Sequence, residues 1–174
     1  MKKIYLIIYK LIFKNFVNSD MGKIGKFFKK IRSFLFKKYT GNKSNNLNIQ
    51  RGASFAQDII IGDNSGIGEN CIVTSNVEIG RNVMMGPDVK IYTINHNFKR
   101  TDIPMNEQGF QKSKKVIIED DVWIGANVII LPGVKIGKGS ILGAGAVISK
   151  NVEQYSIMAG NPAQKVKSRL NDEI

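Results

Sequence analysis

From Ile49 onward, apolar residues return every six positions. Stepping by six from Ile49 gives Phe55, Ile61, Ile67, Val73, Ile79, Met85 and Ile91, and a restart at Ile118 gives Ile124, Ile130, Ile136, Leu142 and Ile148. In a chain that is 43% hydrophobic, chance would fill one such frame with a probability on the order of 10⁻⁵. Four residues after each lead position stands a small or aliphatic residue: Ala53, Ile59, Ser65, Cys71, Val77, Val83 and Val89, then Val122, Val128, Val134, Ser140, Ala146 and Val152. It lies two before the next lead, and strand residues two apart point to the same side, so both positions face inward. Three residues after the lead come Gly52, Asp58, Asn64, Asn70, Asn76, Asn82 and Asp88, then Asp121, Asn127, Gly133, Gly139, Gly145 and Asn151. These residue types tolerate positive φ. Short strands joined by tight corners, with inward side chains stacked coil on coil, predict an all-β solenoid, a parallel β-helix, over residues 47–158.

The N-terminal segment, 1–46, follows another period. Met21, Ile24, Phe27, Phe28, Ile31, Phe34 and Leu35 recur at three- and four-residue spacing, with Lys23, Lys26, Lys29, Lys30, Arg32 and Lys37 filling the rest. This predicts a basic amphipathic helix over 21–38. Its stripe can pack on the chain's own domain or a sister subunit, or lie on an anionic membrane surface. The apolar run at 4–13 is broken by Lys10 and is shorter than the ~20 residues a spanning helix needs. Residues 41–46 form a polar loop of turn-formers before the six-residue period begins.

One repeat breaks the pattern. In Ile91 to His96 the corner position holds Ile94 and the small inward position holds Asn95. A polar excursion, 97–115, follows. His96 is the chain's single histidine, and its phase directs it out of the solenoid. An outward imidazole at a repeat break beside a long loop suits a general base, since it can accept a hydroxyl proton near neutral pH. Trp123 has the same outward phase, which suggests subunit packing or contact with a ligand. Cys71 falls on an inward position, where an inert buried thiol is expected.

Charge changes the picture less than its total suggests. The net charge is +12, yet residues 1–45 hold twelve Lys/Arg against Asp20 alone, which leaves the rest of the chain with fourteen basic and thirteen acidic residues. A near-neutral solenoid offers no basic stripe, so a nucleic-acid partner is not expected. One histidine and one cysteine in separate coils give no zinc-type ligand set, and no metal is expected. A lone cysteine and an N-terminus without a small-residue cleavage site favour the cytoplasm, at the inner membrane face if the helix binds lipid.

The strings VWIGANVIILPGVKIG (Val122 to Gly137), LGAGAVISK (Leu142 to Lys150), AGNPA (Ala159 to Ala163) and the Asn95-His96 pair resemble the hexapeptide-repeat acyltransferases, most closely the maltose/galactoside-type and polysaccharide O-acetyltransferases. The resemblance covers residues 49–167. It implies a left-handed helix with three repeats per coil, a homotrimer, and acetyl-CoA as co-substrate in the groove between two solenoids with His96 at the thioester end. By motif position it implies cofactor contacts at Ala126, Ala144, Ser149 and Lys150, with Lys165 and Lys167 near the CoA phosphates and Asn95 and Trp123 near the acceptor. His96 would take the acceptor proton while backbone N–H groups stabilise the developing oxyanion. Residues 159–174 are expected as a C-terminal tail.

Gln164 stands where sugar acetyltransferases commonly carry an arginine, and Gly66 and Thr74 stand where galactoside-type enzymes carry Asn and Asp. A simple galactoside or maltose acceptor therefore fits poorly. The expected activity is O-acetylation of a sugar hydroxyl, with a capsule or lipopolysaccharide intermediate favoured by the basic helix. A xenobiotic hydroxyl and a non-catalytic trimeric scaffold are the alternatives. Glu107 or a backbone carbonyl is the candidate orienter of His96.

Overall fold

A computed structural model describes residues 2–19 and 21–170. Sixteen short strands, β1 to β16 in chain order, wind into a parallel β-helix with three flat faces, and parallel partners stand 18 residues apart, such as Asn48↔Gly66 and Ser54↔Ile72. The first face contains β1 (Asn48–Ile49) and β4 (Gly66–Ile67), then β7 (Met84–Met85), β10 (Trp123–Ile124), β13 (Ile141–Leu142) and β15 (Ser156–Ala159). The second stacks β2 (Ser54–Phe55), β5 (Ile72–Val73), β8 (Lys90–Ile91), β11 (Ile129–Ile130) and β14 (Val147–Ile148). The third stacks β3 (Ile60–Ile61), β6 (Val77–Ile79), β9 (Val116–Ile118) and β12 (Lys135–Ile136).

The inward stack follows the six-residue period closely. Each lead residue from Ile49 to Ile148 is buried except Phe55, which is half-buried under the N-terminal segment, and every second inward residue from Ala53 to Val152 is buried. Most expected corners are left-handed, with φ of 55–61° at Asn64, Asn70, Asn76, Asn82, Asp88, Asp121 and Asn127. Asp58 and Asn151 depart from this. Neither is among the positive-φ residues; each instead uses its side chain, Asp58 Oδ2 accepting from the Asn76 N–H at 2.9 Å and Asn151 Oδ1 from the Lys135 N–H at 2.9 Å.

Across the excursion the register jumps. Glu78↔Ile117 and Lys90↔Ile129 are 39 positions apart, one 18-residue coil plus 21 inserted residues. The coils on either side still meet in register, secured by the Arg81–Asp120 pair at 2.7 Å and the Lys115–Glu78 pair at 2.5 Å. The hydrogen bond from Arg81 holds the Asp120 carboxyl below its usual range, and that from Lys135 does the same for Glu119. Both contributions are present above the ordinary carboxylate pKa and are lost as pH falls through the lowered one.

Helix α1 (Lys2–Ile8), a π-turn (Tyr9–Phe13) and α2 (Gly22–Thr40) close the lower end of the solenoid. Tyr9, Leu35 and Phe36 are buried, the Tyr9 and Phe36 rings each lying 4.9 Å from that of Phe55, and the Tyr9 hydroxyl donates to the Ala53 carbonyl at 2.7 Å. Two sequence expectations are corrected here. Arg32, read as part of the polar face, is fully buried and donates to the carbonyls of Ile49 and Val17 and to Ser19 Oγ, each at 2.9 Å. The expected apolar stripe is also divided, because Leu35 is buried while Met21, Ile24, Phe27 and Phe34 are 53–63% exposed. The contact face is set by Gly25, whose absent Cβ would stand 2.4 Å from the Asn18 carbonyl oxygen, together with Arg32, Leu35 and Phe36.

At the upper end, the segment read as a tail is structured to Leu170. β16 (Gln164–Ser168) pairs antiparallel with β15 and extends the first face, so the 158/159 boundary falls inside a strand. At the lower end, Tyr9, Leu35 and Phe36 of the N-terminal cap belong to the same core as the solenoid.

The Arg32 contacts can be tested by thermal or denaturant unfolding. Arg32→Ala leaves buried carbonyls without donors and opens a void, and should cost about 2–4 kcal/mol. A loss below about 0.5 kcal/mol would show that water or a relaxed backbone replaces the guanidinium.

Candidate active site

β8 ends at Ile91 and would ordinarily turn toward the third face. Thr93 is the last residue to point inward: it is buried, and its hydroxyl donates to the Ser75 carbonyl at 2.8 Å and meets Thr74 Oγ at 3.1 Å. The chain leaves the coil at the next residue. Ile94, Asn95 and His96 are exposed. Asn95, at the position that breaks the repeat, is thus turned outward: once the coil is abandoned, the six-residue phase no longer governs direction.

The excursion folds back on itself. His96 and Phe110 form an antiparallel bridge, and their rings stack at 4.2 Å between centroids. Gln111 N–H donates to the Asn95 carbonyl at 2.8 Å, Gln111 Nε2 donates to the His96 carbonyl at 3.0 Å, and Lys114 N–H donates to the Thr93 carbonyl at 2.7 Å, closing the neck. Asn97 Nδ2 donates to the carbonyls of Gln108 and Phe110 at 2.9 and 3.1 Å. The backbone on both sides of His96 is thus pinned, while neither ring nitrogen has a hydrogen-bond partner among the described residues. Glu107, in the 3₁₀ turn Met105–Glu107, is exposed and makes no hydrogen bond to the imidazole. Phe110, Gln111 and Thr93, which shape the neck around the histidine, carry no periodic signal in the sequence.

The other expected residues divide between two edges of the solenoid. Ser149 and Lys150 follow β14 at the edge that His96 leaves, where Ile91↔Ile130↔Ile148 are in register, so they lie two coil steps, about 10 Å, along the axis. Trp123 is half exposed on the first face, in register with Met84 and Ile141, and Ala126 and Ala144 follow at the edge between the first and second faces. Lys165 and Lys167 are on β16 of the first face, beside that edge. Lys165 pairs with Glu153 at 2.7 Å, so one expected phosphate partner is already engaged by a carboxylate. Within one chain the second face separates Trp123, Ala126 and Ala144 from His96.

The edge at Ala126 and Ala144 is built from small residues. Side chains there stop at Cβ, and a Cβ on Gly145 would meet nothing within 4 Å. Thr74, at the position of a galactoside-type carboxylate, spends its hydroxyl on the Ile91 carbonyl at 2.9 Å, so no acidic acceptor contact exists there. Cys71 is buried, its thiol pushed up to about 12 by desolvation, and plays no part in this geometry.

Residues 115–150 match the family described as bacterial transferase hexapeptide (six repeats), and residues 58–86 match the hexapeptide repeat of succinyl-transferase. The chain is 43% identical over 90 residues to a galactoside O-acetyltransferase of Lactococcus lactis, covering 52% of this chain and 42% of that protein. It is 47% identical over 64 residues to a chloramphenicol acetyltransferase of Klebsiella aerogenes, covering 37% and 30%. These alignments span less than half the length of either relative. Among solved structures, a galactoside acetyltransferase in complex with coenzyme A superposes with a TM-score of 0.77 at 23% identity, covering 96% of this chain and 78% of that one. A hexapeptide-repeat-containing acetyltransferase from Vibrio cholerae gives 0.70 at 25% identity, covering 98% and 91%.

Six-residue repeats wound into three parallel faces, with one excursion carrying the only histidine, define a hexapeptide-repeat transferase scaffold. Its repeats match those of the hexapeptide family, and the relatives and solved neighbours that share them are named acetyltransferases.

Because Cys71 is buried with a raised pKa, a thiol reagent at pH 8 should label it only after unfolding. Labelling of the native protein at the rate of a free thiol would contradict its place in the core.

Proposed function

We propose that the protein is an acetyl-CoA-dependent O-acetyltransferase acting on a sugar hydroxyl, working as a homotrimer wound in the left-handed sense. The observation that carries this reading is His96, exposed and backbone-pinned at the one place where the solenoid opens. Acetyl-CoA would supply the acyl group as a thioester. The ridge at Ala126 and Ala144 would seat its pantetheine arm, with Lys150 and Lys167 toward the phosphates and Lys165 able to join by releasing Glu153. Since these residues and His96 lie on different edges of one chain, the ridge of one subunit would face the excursion of its neighbour, with Trp123 and Asn95 bordering the acceptor.

In this arrangement a free ring nitrogen of His96 accepts the acceptor's hydroxyl proton as the oxygen forms its bond to the thioester carbonyl carbon. The C–S bond then breaks, and the imidazolium can return the proton to the departing thiolate. Stacking on Phe110 fixes the plane of the ring without occupying either nitrogen.

The acceptor is proposed to be a glycan intermediate of the cell envelope, made at the inner membrane face. Support comes from the exposed side chains of Ile24, Phe27 and Phe34 among the lysines of α2, a surface suited to peripheral membrane contact, although no described helix is long and apolar enough to cross a membrane. A second reading, acetylation of a xenobiotic hydroxyl, has support in the similarity to chloramphenicol acetyltransferases. Transfer of labelled acetyl to a panel of glycans and antibiotics separates the two.

His96→Ala should lower turnover at least tenfold, with acetyl-CoA affinity and thermal stability nearly unchanged, because an exposed ring carries little of the core. Retention of more than about a tenth of the turnover would remove the general-base role. For the membrane contact, Ile24→Ser with Phe27→Ser should reduce co-sedimentation with anionic vesicles at high salt, where screening leaves mainly the apolar contribution. Unchanged partition would place those side chains in a protein interface.

A further inference from the structure

A large cavity lies away from His96, at the lower end. It is a cleft of about 860 Å³ between one side of α2 and the polar turn 42–47. Lys26, Lys29, Lys30, Lys37, Lys38 and Lys43 line it, and no carboxylate does. None of the six forms an ion pair among the described residues, and Lys38 is held only over the Phe34 ring, 5.6 Å from its centroid. Solvated surface lysines usually alternate with acidic residues, yet before Asp58 the sequence holds a single carboxylate, Asp20. Like charges gathered around a concavity repel one another, and the arrangement is relieved only when an anion enters.

The cleft is not polar throughout. Phe34 forms one wall and is about half exposed, and the buried Leu47 contributes to the floor. From Phe34 the exposed apolar side chains continue along α2 to Phe27, whose ring packs edge-on against Phe28 at 5.6 Å. Phe28 in turn meets Phe16 at 4.9 Å. The cationic cleft therefore opens beside a strip of exposed apolar side chains along α2. A free phosphorylated metabolite would use the lysines and leave that strip in water. An anionic amphiphile uses both.

We propose that this cleft is a binding site for the phosphate headgroup of an anionic phospholipid, with the strip from Phe34 to Phe16 resting in the adjoining acyl boundary. The site deepens the membrane contact proposed above by giving it a defined location. Lysine ammonium groups contact the phosphate oxygens as point charges, and their methylene stems with Phe34 cover the glycerol and first acyl carbons. Docked in this way, α2 lies flat and the solenoid stands off the surface by its lower end, which leaves the excursion and His96 free.

The full-length protein can be tested by co-sedimentation with phosphatidylglycerol vesicles at low and physiological salt, with phosphatidylcholine vesicles as the neutral control. Lys26→Gln, Lys30→Gln and Lys37→Gln together should lower affinity for anionic vesicles roughly hundredfold. A triple variant with the same charge change on the solenoid and excursion, Lys99→Gln, Lys112→Gln and Lys138→Gln, should lower it less than about threefold. Unchanged thermal midpoints would establish that both variants are folded. Equal losses in the two variants would show diffuse electrostatics and overturn the site, while equal binding to neutral vesicles would overturn the anionic headgroup. If inorganic pyrophosphate or a DNA duplex binds with cleft dependence and the vesicles do not, the occupant is not a lipid. Every measurement reads binding, so absence of acetyl transfer would count against the enzymatic reading and not against this one. Failure of full-length protein to bind any vesicle would remove the membrane contact itself.

Discussion

A coil of this solenoid cannot bury its own inward side chains, and its backbone donors and acceptors run along the axis to the coils above and below. Everything else in the molecule answers that constraint, because a stack built in this way has two open ends. The lower end exposes Ile49 and Phe55, and the chain spends its first forty residues covering them with Tyr9, Leu35 and Phe36. Arg32 completes the closure by donating to the Ile49 carbonyl of the first coil while binding the incoming chain at Val17 and Ser19. At the upper end the β15–β16 hairpin continues the first face as an antiparallel edge carrying Lys165 and Lys167.

The same constraint explains where chemistry can be placed. A regular coil has no room for a mobile or polar feature, since any residue pointing inward must be aliphatic or small and any outward residue is fixed on a flat face. The excursion escapes this by leaving after Thr93 and returning in register at Val116. Its hairpin carries His96 clear of the stack, and the bridge to Phe110 with the two bonds from Gln111 supplies the rigidity that the coil would otherwise provide. A pinned backbone with a ring nitrogen left open is compatible with the proton transfer proposed for His96.

Charge in the molecule is segregated by the same division of labour. The solenoid balances its charges coil against coil, as in Arg81–Asp120, Lys135–Glu119 and Arg51–Glu69, so each pair helps hold a register. The N-terminal helices carry lysines with no such partners because their outer side does not face another coil. Their uncompensated charge is therefore available to something outside the chain, and the exposed aromatic strip beside it narrows what that can be.

The solenoid, its inward positions and most of its corners were legible in the residue pattern, because a period of six repeated over fourteen units admits one way to bury its apolar residues. The pattern also located the break at Ile94 to His96 and marked the histidine. Only the tertiary structure decided what lies beyond periodicity. Nothing local distinguishes a buried Arg32 from the exposed lysines around it until the carbonyls of Ile49 and Val17 are brought to it. The exposure of Ile24 and Phe27, read from spacing as members of one stripe with Leu35, follows from which side of α2 can approach Ser19 closely enough, and that is set by Gly25. The separation of Trp123, Ala126 and Ala144 from His96 likewise comes from the three-faced winding, since residues with equivalent repeat phase sit on different faces once three short strands make one turn.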